Sequence, residues 1–78
     1  MIFSRHARRR MSLYGITEED ITKIIEKDPR ELPIGERIIF VDESSPKFNL
    51  PIKVVGLNTE QGLMIITAYP VKKQFGGK

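Results

Sequence analysis

His6 and Arg10 stand four residues apart, one helical turn, in a stretch that also carries Arg5, Arg8 and Arg9 and no acid before Glu18. Histidine titrates nearest neutral pH of the side chains and serves as general acid or general base. Arginine presents paired N–H donors in one plane, a geometry that fits a phosphate and that lysine does not copy. Cleavage of RNA without a metal needs such groups. A base takes the 2′-hydroxyl proton, an acid protonates the leaving oxygen, and positive charge holds the phosphate. Only one histidine is present, so the second proton-transfer role falls to Tyr69, a lysine or solvent. Thr67 and Tyr69 close the last β-rich run and supply two hydroxyls able to donate to phosphate oxygens. The candidate catalytic set is therefore His6, Arg10, Thr67 and Tyr69, with no metal and no cofactor expected.

Charge is distributed unevenly around this set. The net charge is +3, yet residues 17–31 hold six acids against three bases, while both ends of the chain are basic. A basic face of this kind suits phosphates or an acidic partner. Arg5, Arg8 and Arg9 on the first helix, with Lys72 and Lys73 near the end, are the candidate nucleic-acid-binding residues. A second reading follows from the same residues: a non-catalytic module that binds nucleic acid, or an acidic protein, through the basic face, in a salt-dependent manner and with little sequence specificity. A third is structural, with His6 and Arg10 hydrogen-bonding the sheet edge to fix the first helix and with Thr67 and Tyr69 as ordinary β-formers.

The elements that must position these residues follow from pattern. Ser4 is suited to cap a helix over residues 4–14, ended by Gly15 in a left-handed conformation. At about 100° per residue, Phe3, Ala7, Met11 and Tyr14 form its apolar stripe. His6, Arg10 and Leu13 fall on the flank of that stripe, at the core margin, and Arg5, Arg8 and Arg9 on the solvated side. Thr17 opens a second helix over 17–28, with Asp20 completing a capping box and Asp28-Pro29 stopping it. Strands are predicted over 37–42, 50–57 and 63–69, separated by a polar loop over 43–49 and a hairpin loop over 58–62. Residues 74–78 read as a flexible tail. Alternation along the last strand places Met64, Ile66 and Ala68 toward the helices and Leu63, Ile65, Thr67 and Tyr69 on the other face. A site holding all four candidate residues would then have to form at an edge of the sheet. The fold class is α+β: two N-terminal helices packed on a three- to four-stranded antiparallel sheet.

The series His6-Ala7-x-x-Arg10-Met11-x-x-Tyr14-Gly15-Ile16, with Ile65-Ile66-Thr67-Ala68-Tyr69 at the close, resembles a family of small bacterial domains of unknown function. Its members open with an H-A-x-x-R-M-x-x-R-G-I helix and end with a strand similar to I-I-T-x-Y. Tyr14 departs from that pattern, standing where the family usually has a second arginine. The family in turn resembles the RelE/ParE-like and colicin-type ribonuclease folds. That resemblance implies two helices on an antiparallel sheet and, in many members, a toxin of a toxin–antitoxin pair that cleaves RNA without a metal. ParE-like members act on a topoisomerase instead and have no nuclease chemistry. Fold likeness therefore does not decide the activity.

Seventy-eight residues predict a single domain over 1–78, with a thin core, because a chain of this size buries only about 60% of its unfolded surface. The absence of cysteine, of a long apolar run and of an apolar leader segment favours the cytoplasm. RNA, an antitoxin-like protein and a second copy of the chain are the partners this reading admits; a membrane is not among them.

Overall fold

The computed structural model describes residues 1–43 and 50–71. Its elements run β1 (Ile2–Phe3), α1 (Arg5–Tyr14), α2 (Glu18–Glu26), β2 (Arg37–Asp42), β3 (Ile52–Thr59) and β4 (Gly62–Pro70). The strands form one sheet in the order β1-β4-β3-β2. β2, β3 and β4 pair antiparallel, whereas β1 pairs parallel to β4 through Ile2–Met64 and Phe3–Ile65. The fold is thus α+β with a four-stranded mixed sheet, which corrects two expectations. The sheet is not purely antiparallel, and a strand precedes the helices. Two residues are too few to reveal a period of two, so Phe3 looks like the first member of a helical stripe when it belongs to a strand.

Both helices are delimited by local chemistry. The Ser4 hydroxyl accepts from the Ala7 backbone N–H at 3.0 Å, and Gly15 at φ 71° returns its N–H to the Met11 carbonyl. The Thr17 hydroxyl accepts from the Asp20 N–H while the Asp20 carboxylate accepts from the Thr17 N–H, a reciprocal pair at 3.1 and 2.9 Å. α2 closes at Glu26 rather than running to residue 28, consistent with the avoidance of helical backbone before Pro29.

The sheet is offset from the sequence reading. β3 starts at Ile52, after the buried Pro51, whose carbonyl accepts from the Val71 N–H at 2.7 Å. It continues to Thr59, because a tight turn at Glu60 and Gln61 replaces the longer loop and pairs Thr59 with Gly62. Gly62 sits at φ 120°, a conformation that side chains other than hydrogen rarely allow.

One irregularity in β4 decides where its side chains go. Val55 pairs with Thr67 and the next residue, Gly56, pairs with Ile65, so Ile66 is a β-bulge without a partner in β3. The alternation changes parity there. Ile65 and Ala68 both lie on the helix face and are fully buried, with Phe40, Ile52 and Val54 opposite α1 and α2. Met64 and Ile66 are only half-buried. The expected grouping of Met64, Ile66 and Ala68 toward the helices, with Ile65 facing away, is therefore corrected. A bulge inside the apolar run Leu63 to Ile66 leaves no trace in its hydropathy. Thr67 and Tyr69 remain on the face away from the helices, across from Val55 and Lys53.

At the opposite edge Arg30 covers β2. Its guanidinium donates to the Ile39 carbonyl at 3.0 Å, pairs with the Asp28 carboxylate and lies 4.7 Å from the centre of the Phe40 ring. A cation on a free strand edge discourages pairing with other chains. The polar loop expected at 43–49 lies outside the described residues except for Glu43, as does the tail at 74–78. No helix among the described residues is long and apolar enough to cross a membrane.

Candidate functional site

The bulge also fixes α1 against β4. The Ser4 N–H donates to the Ile65 carbonyl at 3.0 Å, and the Ser4 hydroxyl donates to the Ile66 carbonyl at 2.9 Å while accepting from Ala7. One side chain thereby caps the helix and ties its first turn to the irregular point of the strand. β1 covers β4 only as far as Ile65. Past that point the outer edge of β4 has no strand partner among the described residues, and α1 runs beside it.

A groove of about 330 Å³ opens along this edge, lined by His6, Arg10 and Tyr14 from α1 and by Thr67 and Tyr69 from β4. Residues 6, 10 and 14 form a row because each step of four advances only about 40° around a helix. The four candidate catalytic residues thus share one concavity, which straddles the sheet edge. Arg10 and His6 are both exposed rather than set at the core margin. Among the described residues, none of the five lining side chains makes a hydrogen bond or an ion pair. Lys53 approaches from β3, its Nζ 6.0 Å from the centre of the Tyr69 ring.

The purely structural role foreseen for His6 and Arg10 is not what holds the helix. Ser4 supplies the hydrogen bonds from α1 to the sheet. The basic face is likewise more differentiated than its pattern implies. Arg5 and Arg9 are exposed, but Arg8 donates to Glu18 at 3.2 Å, linking the two helices, and stands 5.5 Å over the Phe3 ring. Lys72 and Lys73 lie outside the described residues.

Tyr14 is the lining residue that sequence reasoning placed wrongly. Counted in the apolar stripe, it is in fact 38% exposed and continues the row of His6 and Arg10. The i, i+4, i+8 spacing was the available signal. A second concavity of about 310 Å³ lies between α2 and β2, lined by Lys27, Asp28, Asp42 and Glu43 among others. Three of the four charged groups named are already engaged with the protein, Lys27 with the buried Asp42 at 3.3 Å and Asp28 with Arg30. No group of three or more histidine, aspartate or glutamate side chains is placed to hold a metal among the described residues.

Chemically, the edge groove combines an imidazole, a guanidinium, three hydroxyls and two phenol rings, with no hydrogen bond or ion pair to any of these side chains among the described residues. Such a set can donate to an anion and move a proton. No curated protein and no solved structure gives a significant match to the chain. A family model does match, over residues 3–70, which runs from Phe3 in β1 to the end of β4 and includes every residue lining the groove. The chain belongs to the family described as a domain of unknown function, DUF4258.

Proposed function

We propose that the protein is a metal-independent endoribonuclease, similar to the RNA-cleaving RelE-like toxins of toxin–antitoxin pairs, with its active site in the groove between α1 and β4. His6 takes the 2′-hydroxyl proton of RNA. The 2′-oxygen attacks the adjacent phosphorus, the bond to the 5′-oxygen breaks, and a 2′,3′-cyclic phosphate forms. Tyr69 or a water delivers the proton that the departing 5′-oxygen requires. Arg10 holds the non-bridging oxygens as charge builds on them, and Thr67 donates a further hydrogen bond.

The observation that carries this reading is the convergence of five polar side chains on one concavity, none of them in a hydrogen bond or ion pair among the described residues. Exposed polar groups are ordinarily satisfied by water, so the signal is their convergence from two elements on one concavity, where a ligand can replace that water. The placement of Arg5 and Arg9 on the exposed face of α1 is compatible with RNA running across the groove. The test is incubation of the purified protein with bulk RNA in chelator, beside His6→Ala and Arg10→Ala. Cleavage by the wild type, lost in both variants, supports the assignment. Salt-sensitive RNA binding without cleavage replaces it with the binding module.

A further inference from the structure

The polar set of the groove recognises phosphate and ribose, which every RNA strand presents, paired or unpaired. Tyr14 adds something different. It is the last residue of α1, one turn beyond Arg10, and its side chain has no hydrogen-bond partner among the described residues. Gly15 turns the backbone away at φ 71°, so Tyr14 closes the row of α1 at one end of the groove. The groove, at about 330 Å³, is at the small end of ligand sites, which span about 300–1,000 Å³. That volume suits a ligand of about the size of one nucleotide.

From this we infer that Tyr14 is a base-stacking residue, which makes the substrate an unpaired nucleotide of a single-stranded RNA. The inference rests on the reading of the groove as a phosphodiester site. Tyr14 stands about 6 Å along α1 from Arg10, four residues at about 1.5 Å each, so a nucleoside attached to a phosphate on Arg10 can reach its ring. A phenol face takes any of the four bases, and such stacking is sequence-tolerant. Duplex RNA keeps its bases inside the stack and offers the ring nothing.

Binding separates this inference from cleavage. Nucleoside 3′-monophosphates and inorganic phosphate are titrated into the wild type, Tyr14→Phe and Tyr14→Ala, and chemical-shift changes give the dissociation constants. The expected pattern is nucleotide bound more tightly than phosphate by the wild type and by Tyr14→Phe. Tyr14→Ala loses about 5- to 150-fold in nucleotide affinity, the range for removing one stacked base, and keeps its phosphate affinity. Equal losses in Tyr14→Phe and Tyr14→Ala overturn the inference, because the hydroxyl and not the ring is then at work. No loss in Tyr14→Ala, or a parallel loss of phosphate affinity, also overturns it, as does a wild type that binds nucleotide no better than phosphate. If the wild type shows the expected pattern yet leaves RNA intact in chelator, the stacking assignment stands and the ribonuclease reading falls.

Discussion

Removing the imidazole of His6 or the guanidinium of Arg10 takes nothing from the core, since both side chains are exposed and neither is hydrogen-bonded among the described residues. Exposed substitutions of this kind stay within about 0.5 kcal/mol. His6→Ala and Arg10→Ala are therefore expected to move the Tm by no more than about 4 °C, read by thermal unfolding. A larger fall would return both residues to a structural role. Ser4 is the contrast at the same scale. Ser4→Ala removes a helix cap and strands the Ile66 carbonyl, a combined cost of about 2 kcal/mol and about 8–16 °C in Tm. Residue type and spacing alone were enough to single out His6, Arg10, Thr67 and Tyr69. The groove role of Tyr14 and the ties of Arg8 to Glu18 and Phe3 were not legible, because both depend on where neighbouring elements lie.

Between elements, the contact of α1 with β4 sets the width of the groove. Ala7 is fully buried in the same core cluster as Ile65 and Ala68, and two alanines at this depth allow close approach. Leucine keeps a good helix propensity, so Ala7→Leu reports packing alone. It is expected to cost about 1–3 kcal/mol in denaturant unfolding and to lower nucleotide affinity by moving α1 off the strand. A neutral Ala7→Leu would mean that the two elements are loosely packed. The helices were legible from their periods, the stripes Ala7–Met11 and Ile21–Ile24, and β2 from its run of β-formers Ile38 to Val41, whose alternating burial of Ile38, Phe40 and Asp42 only the fold reveals. β1 was hidden by its length of two residues and the bulge at Ile66 by a continuous apolar run. That bulge is also why the four candidate residues meet at an edge. It supplies the carbonyl to which α1 is anchored, while Thr67 and Tyr69 stay on the far face.

At the scale of the whole molecule, a formal charge of +3 and an acid-free first helix favour association with polyanions. If Arg5 and Arg9 contact RNA phosphates, binding weakens as salt rises, with a log–log slope near 0.7 per contact on single strands. Arg5→Gln and Arg9→Gln are each expected to reduce that slope by about 0.7 in filter-binding titrations, whereas Arg8→Gln, already paired with Glu18, changes it less. The proposed ribonuclease is tested most directly by its product. A short single-stranded RNA is incubated in chelator with the wild type and with His6→Ala, and the fragments are weighed by mass spectrometry. The proposed chemistry predicts 5′ fragments ending in a 2′,3′-cyclic phosphate from the wild type and intact RNA from His6→Ala. Intact RNA from both, or equal cleavage by both, would contradict it.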